Sequence, residues 1–181
     1  MRRILFVLFI LFSLSLNGQD VFQVSRGSVK FISDAPLELI QAETSTITGL
    51  LRISDRSFAF VIPMKTFEGF NSSLQKTHFN ENYIESNKYP NATFEGKIIE
   101  DMDFSQPGTY NIRGKGRFQV HGVEQERIIR CQLVVEKDRI TIKSKFTVML
   151  ADHNIKIPSV VAQKITEEVA IEMSTVLTPK K

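Results

Sequence analysis

Tyr110-Asn111-Ile112-Arg113-Gly114-Lys115-Gly116-Arg117-Phe118-Gln119-Val120-His121-Gly122 alternates without a break. Tyr110, Ile112, Gly114, Gly116, Phe118 and Val120 share one face of an extended chain, while Asn111, Arg113, Lys115, Arg117, Gln119 and His121 share the other. A period of two predicts a strand with one buried and one wet side, as in an antiparallel sheet. The pattern recurs upstream, where Val29 and Phe31 flank Lys30, and at Phe58, Phe60 and Ile62. Downstream it returns at Ile140, Ile142, Ser144, Phe146 and Val148, then at Val169, Ile171 and Met173. About eight strand candidates emerge in this way. Helical periodicity is confined to two short pieces. One opens at Asn71-Ser72-Ser73, with Asn71 read as its cap, carries Leu74 and His78, and ends near Asn82; the other runs from Ser159, just after Pro158, to about Ile165. No linker, repeat or charge block divides the chain, which predicts one all-β domain.

Long strands with one apolar face leave a sandwich or a closed barrel, and periodicity does not choose between them. Gly114 and Gly116, on the apolar face, admit either a close ligand or a crowded, coiling sheet. The 181 residues are ordinary globular material, with 42% hydrophobic and 24% charged. A net charge of +3 is too balanced for nucleic acid as the default partner. The single cysteine excludes an internal disulfide framework; Cys131 shares the phase of Ile129 and Leu133 and reads as a small buried hydrophobe.

Met1-Arg2-Arg3 precedes an apolar run from Ile4 to Leu16, then Asn17-Gly18-Gln19. That order predicts a cleavable export signal over residues 1–19, removed after Gly18 or Gln19, and a mature domain over 20–181. The run is too short for a membrane span, and no Cys near its end marks a lipid anchor. Periplasmic or secreted placement is therefore expected.

Three ordered motifs resemble the YceI-like family. The stretch from His78 to Gly96, with Lys88-Tyr89-Pro90-Asn91-Ala92-Thr93-Phe94 at its centre, resembles the family's short helix, turn, Tyr-Pro and Phe-led strand. Gly114 to Val123 is similar to its glycine-led strand ending in His-Gly-Val. Phe146-Thr147-Val148-Met149-Leu150 followed by Ile155-Lys156-Ile157-Pro158 resembles its C-terminal part. The resemblance implies a lipocalin-like antiparallel β-barrel of about eight strands with one or two short helices. It also implies a non-catalytic function: binding, sequestering or transporting a long apolar amphiphile, a polyisoprenoid-type lipid or quinone, in the cell envelope. No cofactor is expected beyond such a lipid. Strand phase then assigns Phe31, Phe58, Phe60, Phe94, Ile98, Phe118, Val120, Phe146 and Val148 to the bore. Leu74, His78, Phe79, Tyr83 and Tyr89 are assigned to a mouth or lid, where tyrosine hydroxyls meet a polar head group. Ordinary core packing is the competing reading for each of these aromatics. Partners in this reading are the lipid itself and a transient membrane surface, with a homodimer left open.

Candidates for chemistry are few. His78, His121 and His153 form no metal-ligand spacing, and no nucleophile elbow or phosphate loop is present. His121 and His153 each end a strand, so a rim site built from them with Asp152 stands as the enzymatic alternative, against a turn-stabilising role. An envelope protein with a filled core is a third reading. The Asn71 and Asn91 glycosylation patterns are read as chance. Arg113, Lys115 and Arg117, with Lys143 and Lys145, are read as a solvated outer face rather than a basic patch.

Overall fold

Tyr110 to Val120 of the alternating stretch lie in β6 (Gly108–Val120) of the computed structural model, which describes residues 20–180. Ile112, Gly114, Phe118 and Val120 are buried, and Asn111, Arg113, Lys115 and Arg117 are exposed. His121 and Gly122 join β6 to β7 (Val123–Glu136) with φ of 52° and 73°. Positive φ at both positions of a two-residue loop defines the type I′ hairpin, whose twist matches that of the strands it joins. Tyr89 packs on Gly122 so closely that a Cβ there would lie 2.4 Å from its ring.

The remaining strands are β1 (Val21–Ala35), β2 (Glu38–Thr44), β3 (Thr48–Arg52), β4 (Ser57–Pro63), β5 (Asn91–Ile98), β8 (Arg139–Met149) and β9 (Glu168–Pro179). Each pairs antiparallel with its neighbours, and β1 pairs with β9, which closes the sheet into a barrel. β2 and β3 lie end to end along one edge of β1, β2 against Val29–Ala35 and β3 against Val21–Gln23, so the wall has eight staves. A bulge between Val24 and Arg26 shifts the β1 register, and the inward phase passes from Phe22 and Val24 to Val29, Phe31 and Ser33. The fold is the lipocalin-like barrel that the resemblance implies.

The glycines act on the wall itself. Gly96 and Gly116 pair across β5 and β6, where a Cβ on either would lie 2.1 Å from the Lys115 carbonyl oxygen or 2.0 Å from that of Glu95. At Gly114 the space is taken by the Phe58 ring, 3.1 Å from where a Cβ would stand. Relief of crowding explains Gly96 and Gly116. Four of the five basic side chains of the outer face are paired: Arg113 with Glu100, Lys115 with Glu126, Arg117 with Glu95 and Lys145 with Glu172.

Helical structure gathers at one end of the barrel, beside the β6–β7 hairpin. Helix α1 (Ser73–His78) continues through a wider π-type turn over Phe79–Tyr83, so the helical path ends close to the expected Asn82. Its cap is Ser72, whose Oγ accepts from the Gln75 N–H at 3.2 Å. Asn71, expected in that role, instead donates its side-chain amide to the Leu39 carbonyl at 2.9 Å. The second expected helix shrinks to a 3-10 turn over Ser159–Val161, with Lys164 N–H donating to the Val161 carbonyl. A further 3-10 turn spans Leu150–His153. At the opposite end Leu133, Ile140 and Leu177 are at most 1% exposed and shut the barrel. No helix among the described residues is long and apolar enough to cross a membrane. The expected export signal lies outside the described residues.

Candidate functional site: an apolar bore

The inward faces of the staves do not meet. They leave a cavity of about 460 Å³, within the range of pockets that enclose small ligands. Phe31, Phe58, Phe60, Phe94, Ile98, Phe118, Val120, Phe146 and Val148 all line it. So do Leu74, His78, Phe79 and Tyr83. Tyr89 does not. It lies at the hairpin, edge-on to the His121 ring at 4.7 Å between centroids, because the chain after the π-type turn leaves the mouth to reach β5.

Three features shape the bore. Its floor is Leu133, below Ile112, Ile142 and Ser144, and the Ser144 hydroxyl is already spent on the Arg130 carbonyl at 2.7 Å. Cys131 also faces the cavity, where burial pushes its thiol up and keeps it neutral. An aromatic cluster stands at the shoulder: Phe31 stacks on Phe79 at 5.2 Å, and Phe67 and Phe70 pack on both. The opening is marked by the lining residues that water reaches, Ser72, Leu74 and His78 on one side and Lys164 on the other. Gln75 donates to the Glu38 carboxylate there at 2.5 Å, so polar groups ring the mouth and hydrocarbon fills the depth.

Several of these residues were not assigned from the sequence. Phe67 and Phe70 lie in the irregular segment between β4 and α1, and Lys164 and Ile165 in the loop before β9. No period marks either segment. Val169, Ile171 and Met173 also line the bore, and their alternation was the available signal.

The histidines of the enzymatic alternative do approach one another, but neither lines the cavity. His121 Nδ1 stands 2.9 Å from the His153 carbonyl oxygen, and its Nε2 2.6 Å from a Glu85 carboxylate oxygen. His153 is wholly buried, donates from Nδ1 to the Val123 carbonyl at 3.0 Å, and meets the Phe118 ring edge-on. Burial lowers its pKa below the ordinary histidine value. Asp152 contributes its backbone carbonyl to Gln125 rather than a carboxylate to the pair. Both rings fasten the hairpin to neighbouring loops, and no group of metal-ligating side chains occurs among the described residues.

A closed antiparallel barrel with an apolar bore, shut at one end and open at the other, defines a lipocalin-like ligand-binding architecture. The YceI-like domain family matches residues 18–177, and the chain belongs to that family. No curated protein matches it. Among solved structures it is similar to a polyisoprenoid binding domain from Saccharophagus degradans, with TM-score 0.71, 10% identity and coverage of 90% of this chain and 100% of that one. It is similar also to BcnA of Burkholderia cenocepacia, with TM-score 0.67, 14% identity and coverage of 83% and 95%. The YCEI protein of Campylobacter jejuni matches over the whole of both chains with TM-score 0.55 and 12% identity.

Proposed function

We propose that the protein binds a long apolar amphiphile, of the polyisoprenoid or quinone class, and sequesters or carries it in the cell envelope without covalent chemistry. The observation that carries this reading is the unfilled bore: about 460 Å³ of space walled mostly by hydrocarbon, with its charged side chains, Glu38 and Lys164, at the mouth. Each methylene drawn from water into such a wall gains about 0.8 kcal/mol, so a repetitive tail needs no specific contact to bind. Ser144 and Cys131 offer no free strong donor at depth, so a polar head group belongs at the mouth with His78, Tyr83 and Lys164. Likeness to the polyisoprenoid binding domain of Saccharophagus degradans supports the ligand class. The Arg-led apolar segment before residue 20 supports export to the periplasm or beyond.

Native mass spectrometry of the mature protein, then organic extraction, tests the reading. A long-chain isoprenoid at one per barrel is expected. Phe118→Asp, checked for folding by circular dichroism, should lose it, and Lys143→Ala should keep it. Protein that emerges empty, and stays empty after incubation with prenols and quinones, would refute the proposal.

A further inference from the structure

Three segments frame the opening, and each holds a large apolar side chain out in water. Leu37, at the tip between β1 and β2, is 66% exposed; Leu74 on α1 is 60% exposed; Val160 on the 3-10 turn is 88% exposed. The tip is tied to the loop carrying Val160 by the Leu37 N–H, which donates to the Gln163 carbonyl at 3.0 Å. That loop, Ile155 to Thr166, contains Lys156 and Lys164, both exposed, and no acidic residue before Glu167. Val160 is followed directly by Val161, which lines the bore, so the most exposed apolar side chain of the rim stands next to the cavity wall. One carboxylate among the described residues lines the opening, Glu38; it accepts from the Gln75 amide and lies outside the loop that carries the two lysines.

The geometry points to this rim as a docking surface for an anionic phospholipid bilayer, with Val160 as the inserted wedge and Lys156 and Lys164 on the head groups. The inference rests on the lipid-binding reading: an amphiphile insoluble in water is collected from a membrane, and the bore opens here. A wedge next to the opening spares the tail a passage through water. Cationic residues in the same loop give the surface its sign, about fivefold in partitioning for each lysine near an anionic leaflet.

The chain contains no Trp, so Val160→Trp installs a single reporter at the wedge. With vesicles of phosphatidylcholine and phosphatidylglycerol its emission should shift to the blue and be quenched by lipids brominated on the acyl chain. Phosphatidylcholine alone should give a weaker response. In flotation, the unsubstituted protein should rise with the anionic vesicles and Val160→Asp should not. Lys156→Gln should float several-fold less. Uptake of a prenol delivered from cyclodextrin should be the same in all of them. Equal flotation of Val160→Asp, or an emission shift caused by protein concentration in place of vesicles, would overturn the docking proposal; the second result would assign the rim to a second copy of the chain. Failure of every protein to take up the prenol would refute the binding reading instead, and flotation would still decide the docking.

Discussion

At the scale of single residues, two positions are set by what surrounds them and not by what they bind. His153 is wholly buried, with its Nε2 unpartnered among the described residues, and burial holds its pKa below the ordinary value. An unfolded histidine titrates near about 6.5, and below that pH the unfolded chain takes a proton that the folded chain resists. Stability is therefore fully present at neutral pH and falls as the solution is acidified, by up to about 1.4 kcal/mol per pH unit from this group. Urea midpoints should drop between neutral and mildly acidic pH, and more steeply in the natural protein than in His153→Phe. Parallel slopes would show that His153 is not the residue responsible. At Gly116, a Cβ would lie 2.0 Å from the Glu95 carbonyl oxygen, and backbone cannot step aside as a side chain can. Gly116→Ala should cost about 3 kcal/mol by parting β5 from β6, measurable as a fall in the urea midpoint. An unchanged midpoint would mean that the two strands are not held this close.

At the scale of elements, what period reveals and what it conceals separate cleanly. β6 was legible to within two residues at each end, because the alternation from Tyr110 runs unbroken to Val120 and continues in phase through His121 and Gly122, which the structure places in the type I′ turn. β1 was legible only in its second half, since the bulge between Val24 and Arg26 reverses the inward phase. α1 was legible as a helix but not in its cap. Asn and Ser are both good caps, and the choice fell to Ser72 because β2 offers Asn71 the Leu39 carbonyl. A helix of six residues has almost no stability of its own, so its persistence rests on that cap and on tertiary contacts. Ser72→Ala should cost the helix about 1 kcal/mol. The effect is expected locally, as several-fold faster hydrogen exchange at Gln75 to His78, with the barrel strands unchanged. Exchange that stays slow in this variant would show that contacts with β2, not the cap, hold the helix.

At the scale of the whole molecule, the decision between sandwich and barrel was not local, and no amount of periodicity contains it. It depends on β9 finding β1, a pairing of segments at opposite ends of the described chain that Phe31 and Ile171 bring side by side. Resemblance to a family carried that information where pattern did not. The mouth was half legible for a related reason: Leu74 and His78 lie on a helix whose faces can be read, while Phe67, Phe70 and Lys164 lie in segments without a period. Closure around unfilled space has a thermodynamic consequence. A bore wide enough for a ligand leaves its walls without partners on one side, so the empty protein forgoes packing that a filled core would have. Ligand at a hundredfold excess over its Kd returns about 2.7 kcal/mol. For a domain of this size that is a rise in Tm of roughly 5–10 °C. Ile171 lines the bore, and Ile171→Trp places the missing bulk there permanently. Delipidated Ile171→Trp should melt above the delipidated natural protein and gain nothing from added prenol, whereas the natural protein gains the full shift. A variant that gains as much as the natural protein would mean that the ligand occupies some other surface.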